Sequence, residues 1–141
     1  MSSRRLGAAE RGSLAILAAG LIFVLGIAAW LTPNPSGLGT HQQLGLPPCT
    51  SLMVLGIRCP ACGMTTSWAL MIEGRIPEAL AANLGGSLLF VVAFLSVPLI
   101  AWIVWTGNRR AREQWGYFAL SGSLTSMFIA FVMWAWNFVN R

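Results

Sequence analysis

The sequence predicts an all-α membrane protein: three transmembrane helices with a cysteine-containing, partly helical extracytoplasmic loop between helices one and two. Three observations carry that fold class. Of 141 residues, 56% are hydrophobic and only 9% are charged, whereas soluble domains carry about 25% charged residues. The apolar residues gather into three uncharged runs, at 13–31, 84–106 and 116–138. The arginines cluster beside those runs rather than inside them. A chain of this length has room for one domain, and a water-soluble domain could not hide so much apolar surface, so lipid is part of its solvent.

Each run is long enough to cross a bilayer, because a hydrocarbon core of about 30 Å needs about 20 helical residues. The first follows Arg4, Arg5 and Arg11 and exceeds the h-region of a signal peptide; with no small-x-small cleavage site before Trp30, it is expected to be an uncleaved anchor. Pro98 falls inside the second run, where a kink is expected, with the freed carbonyl satisfied by neighbouring helices. In the third run, Gly122, Ser126 and Ala130 recur every four residues and share one face. Small residues let helices approach closely in lipid; the expected partner of this face is helix one, where Ala15 and Ala19 repeat the spacing, or a second copy of the chain.

The formal charge of +5 comes from nine arginines and no lysine. Six of them flank apolar runs: Arg4, Arg5 and Arg11 before helix one, and Arg109, Arg110 and Arg112 in a short loop between helices two and three. The positive-inside rule places both groups in the cytoplasm, and segment 32–83 with Arg141 outside. Trp30, Trp134 and Trp136 then mark the outer interface, and Trp102, Trp105 and Trp115 the inner one. The aromatic and basic residues do not interleave as in a single-strand binder, so the expected partners are the lipid bilayer and a membrane protein or second copy, not nucleic acid.

Segment 50–72 is apolar enough to suggest a fourth span. Arg58 lies near its centre, at an insertion cost of about 2.5–3.5 kcal/mol, with Pro60 and Gly63 just beyond. A fourth span would also move Arg109, Arg110 and Arg112 outside. The segment is therefore expected to be interfacial or re-entrant.

Within 32–83, the stretch 32–39 is rich in Pro and Gly, and Pro47-Pro48 makes another break. A helix is expected over 64–73, capped by Thr65 or Thr66 and ended by Gly74. A second starts at Ile76-Pro77, with Glu78 suited to its positive end, and runs on through Asn83 into helix two. Glu73, Arg75 and Glu78 read as solvated turn charges. No Ser/His/Asp set, paired carboxylates or phosphate loop is visible, so a non-enzymatic membrane module is the first reading.

Chemistry concentrates on Cys49, Cys59 and Cys62, with His41 nearby. Three readings stay open. Cys59, Cys62, Cys49 and His41 make a Cys₃His set, a donor combination known for structural zinc, although their spacing is not that of a zinc finger. A CxxC just before a helix can have a depressed thiol pKa and exchange disulfides, although no thioredoxin-like βαβ pattern surrounds it. A structural disulfide with one leftover thiol also suits an oxidising compartment. Arg58, next to Cys59, can stabilise a thiolate or snorkel to the interface.

The stretch 41–89, with Leu46-Pro47-Pro48-Cys49, Cys59-Pro60-Ala61-Cys62-Gly63-Met64-Thr65-Thr66 and the run from Gly74 to Asn83, resembles the DUF2752 family of small bacterial membrane proteins. The resemblance is specific at CPxCGxT. It implies a multi-pass protein of the bacterial inner membrane with no assigned activity. Two positions depart from the family pattern: Thr65-Thr66 stands where many relatives have Thr-Arg, and Asn83 is followed by Leu84 rather than by proline.

Overall fold

The computed structural model describes residues 5–140; Arg4 and Arg141, both used in the topology argument above, lie outside them. The described chain is helical, with no strand. Its elements are α1 (Ala8–Trp30), a 3₁₀ turn (Thr40–Leu44), α2 (Thr50–Leu55), α3 (Met64–Ile72), α4 (Ile76–Ala82), α5 (Leu84–Thr106) and α6 (Arg109–Val139). Three of these, α1, α5 and α6, are long and apolar enough to cross a membrane. The cysteine-containing loop lies between the first and second of them.

α1 begins before its apolar run because Glu10 reaches back to the Gly7 N–H at 3.0 Å, satisfying a donor that a helix start leaves free. Little of α1 is buried beyond Leu14 and Ala28, as suits a helix with lipid on most sides. α5 is the central element, packed against both α1 and α6. It buries Phe90, Ala93, Ser96, Ile100 and Ile103, spaced three or four residues apart along one face. Its helical span continues through Pro98.

The small-residue face of α6 packs on α5, not on α1. Ser126 and Ala130 are buried. A Cβ added at Gly85 would stand 2.5 Å from both the Ala130 Cβ and the Ser126 carbonyl oxygen, and one at Gly122 would stand 2.7 Å from Val92 Cγ2. The expected pairing with α1 is overturned: α6 packs on α5, where Gly85 has no room for a Cβ.

A second correction concerns Arg109, Arg110 and Arg112. They form the first turn of α6, and only Gly107 and Asn108 separate α5 from α6. Asn108 caps the helix, accepting from the Ala111 N–H at 3.3 Å, and the Arg, Ala, Glu and Gln that follow are good helix formers. This arginine end is closed by Leu6 N–H donating to the Gly107 carbonyl at 3.0 Å. Glu10 accepts Arg109 at 3.3 Å and lies 3.5 Å from Arg112. Arg5 and Arg11 thus lie at the same end as Arg109 and Arg112.

At the opposite end, segment 50–72 is two short helices interrupted between Gly56 and Gly63, not one span. The helix over 64–73 is capped by neither Thr65 nor Thr66. Its N-cap is Gly63 at φ 85°, a left-handed conformation that glycine adopts without Cβ strain. Nor does α4 run into α5. Asn83 is extended, at φ −163° and ψ 105°, and its side chain caps α5 instead.

Candidate metal centre

Three segments build the site: the 3₁₀ turn, the start of α2 and the turn 59–63 ahead of α3. The turn is closed by Cys62 N–H on the Cys59 carbonyl at 3.0 Å and Met64 N–H on the Ala61 carbonyl at 3.1 Å. It brings Cys59 Sγ and Cys62 Sγ to 2.9 Å, with the Cys59 N–H donating to Cys62 Sγ at 3.2 Å. Cys49 enters from the N-cap of α2. All three sulfurs lie within 4.8 Å of one another, and each cysteine is free and half-buried.

The 2.9 Å separation falls between a disulfide at about 2.05 Å and the edge of a tetrahedral zinc site, about 3.8 Å for Zn–S bonds near 2.3 Å. The thiols differ in acidity. The Leu52 backbone N–H, then the Cys62 and Cys59 thiols, favour the Cys49 thiolate and bring its pKa down to about 7. Burial first, then the neighbouring Cys59 and Cys49, push Cys62 up to about 12.

Neutral contacts hold the site in place. Asn83 Nδ2 donates to the carbonyls of Pro60 at 3.0 Å and Cys62 at 3.1 Å, while its Oδ1 accepts the Gly86 N–H at 2.7 Å. One side chain therefore ties the CxxC turn to the first turn of α5. The hydroxyls of Thr40 and Thr66, both buried, bond at 2.7 Å and lock the 3₁₀ turn to α3. At Gly63, an added Cβ would lie 2.6 Å from the Ala82 carbonyl oxygen and 2.9 Å from that of Gly37. Trp134 of α6 donates its indole N–H to the Arg58 carbonyl, so Arg58 meets α6 through its backbone while its side chain is exposed.

Two cavities flank the sulfurs. One of about 520 Å³ is lined by all three cysteines together with His41, Gln42 and Thr65. The other, about 140 Å³, lies between the CxxC turn and α6 and touches Cys59 and Cys62 but not Cys49. His41 shares the larger cavity, where its Nε2 donates to the Pro47 carbonyl at 3.2 Å and leaves Nδ1 free. Among the described residues, the grouped ligand atoms are those of Cys49, Cys59 and Cys62.

Asn83, Thr40 and Trp134 are site residues beyond those expected from the sequence. Asn83 did carry a signal, since Asn directly before an apolar helical run is a standard N-cap. The Thr40–Thr66 pair carried none, because its partners are far apart in sequence.

Among curated proteins and among solved structures, nothing matches the chain. Residues 49–105 match the model of a family described as "Protein of unknown function (DUF2752)", and over that stretch, which holds all three cysteines and Asn83 but not His41, the chain is similar to that family.

Proposed function

We propose that this chain is a non-enzymatic module of the bacterial inner membrane whose CPxCG loop is pinned by a zinc ion held on Cys49, Cys59 and Cys62. The observation that carries the reading is the convergence of three sulfurs within 4.8 Å from two separate segments. A disulfide needs two of them; a metal accounts for the third. Soft thiolates suit zinc, and a tetrahedral ion takes one further donor. His41 lines the same cavity as the sulfurs. Holding the ion would fix the loop and present it to a membrane-protein partner or a second copy.

In this reading the spans are 13–31, 84–106 and 116–138, and the loop 32–83 is extracytoplasmic. Arginine placement supports that orientation, as does the position of Arg11 at the same end as Arg109 and Arg112. Reporter fusions after Gly45 and after Asn108 are expected to report opposite sides of the membrane.

The decisive measurement is metal analysis with thiol counting on detergent-purified protein. One zinc per chain and three thiols freed on chelation are expected, with Cys49→Ser losing the metal. A metal-free protein with one disulfide and one free thiol would instead mean that a disulfide pins the loop. The close approach of Cys59 and Cys62 supports that second reading.

A further inference from the structure

Resting on the zinc reading, we infer that the fourth coordination position is not closed by His41 but faces the large cavity and takes a small, uncharged nitrogen-donor ligand from outside the chain. Closed structural zinc sites have four protein ligands, whereas sites that bind an exogenous molecule have three. Among the described residues the grouped ligand atoms number three, all of them sulfur. His41 donates from Nε2 to the Pro47 carbonyl, which leaves Nδ1 free, but neither ring nitrogen joins the three sulfurs in the group of ligand atoms within 4.8 Å of one another.

Position follows from which walls the cysteines share. All three border the cavity of about 520 Å³, while only Cys59 and Cys62 border the smaller one. An ion equidistant from the three sulfurs therefore has its remaining face toward the larger space. That volume far exceeds the roughly 30 Å³ share of one water and falls in the size range of small-molecule sites.

The charge of the ligand follows from the walls. Three thiolates on Zn²⁺ leave a net charge of −1, each cysteine having released its proton to solvent on binding. The lining adds no Asp, Glu, Lys or Arg; its polar groups include Asn34, Ser36, Gln42 and Thr65. An anionic fourth ligand would bring the site to −2 with no Lys or Arg on the walls to offset it, whereas a neutral donor leaves it at −1. Neutral donors of the imidazole class suit zinc and find hydrogen-bonding partners on the walls.

Cobalt(II) substitution of the purified full chain in detergent tests this, because cobalt reports its ligand set in the visible spectrum. Probes are imidazole at pH about 8, where the free ring is largely uncharged, and acetate and azide as anions. We expect imidazole to shift the cobalt bands saturably in the wild type and equally in His41→Ala and His41→Gln, with the anions inert. A wild-type spectrum unmoved by imidazole, with a response appearing only in the His41 variants, would mean that His41 closes the site and would overturn the inference while leaving the metal reading intact. An equal response to acetate or azide would overturn the assignment of an uncharged ligand. Failure of the wild type to bind cobalt or zinc at all would overturn both.

Discussion

The two ends of this helical bundle are held together by different physics. At the arginine end, Glu10 meets Arg109 and Arg112 through side chains that are 32% and 43% exposed. At the cysteine end the ties are neutral and enclosed: Thr40 on Thr66, Asn83 on the Pro60 and Cys62 carbonyls, and Gly63 pressed against the Ala82 and Gly37 carbonyls. Exposed ion pairs contribute little and are screened by salt. Buried hydrogen bonds are costly to break, because the partner left behind is desolvated and unpaired. The cysteine end is therefore expected to be the rigid one, and rigidity there keeps three sulfurs in register.

The largest effect is expected at Gly63. Gly63→Ala adds a Cβ in a left-handed conformation and drives it against two carbonyl oxygens, costing about 3 kcal/mol or more. Thermal unfolding in detergent should fall by roughly 10 °C, and metal binding should be lost with it. A melting temperature within a degree of wild type would break the comparison at its strongest point.

Asn83→Ala comes next. It removes a helix cap and both bonds to the CxxC turn, for an expected loss of about 2 kcal/mol. Retention of wild-type stability, measured the same way, would mean that α5 and the turn hold their places without it.

The cysteine end also carries an asymmetry readable without unfolding. In metal-free, reduced protein at pH about 7, Cys49 is expected to alkylate at least about tenfold faster than Cys62, since the thiolate is the nucleophile. The Cys49 rate should climb through pH about 7, where its pKa is held, while Cys62, pushed up to about 12, stays protonated across that range. Peptide mass spectrometry after timed quenching gives both rates, and matching profiles would show that the Leu52 amide does not favour the Cys49 thiolate.

The smallest effect belongs to the arginine end. Glu10→Gln should cost less than about 1 kcal/mol and should cost nothing measurable near 1 M salt, where the Debye length is about 3 Å. A salt-independent loss equal to that of Asn83→Ala would erase the distinction between the ends.

Much of the architecture was legible in the residues. Three uncharged runs specify three membrane helices because each run alone satisfies the length and apolarity that lipid demands. Arginine clusters beside two of those runs indicated which ends meet, and Cys59-Pro60-Ala61-Cys62-Gly63 announced a tight turn with paired sulfurs. All of these are local signals, readable in windows of a few to about twenty residues. Other features needed the chain to close in space. Whether α6 sits on α5 or α1 depends on which facing positions permit backbone contact, and at Gly85 the α6 backbone comes so close that a Cβ would not fit. Gly63 rather than Thr65 or Thr66 starts α3 because the chain must reverse there at positive φ, which frees Thr66 to turn inward onto Thr40. Asn83 separates two helices that composition alone would join, since its amide has the Pro60 and Cys62 carbonyls to bind. The nearness of Cys49 to the CxxC pair, and the engagement of His41 with Pro47, are likewise products of packing, because the contacts that set them join segments whose spacing in sequence carries no periodic or compositional mark.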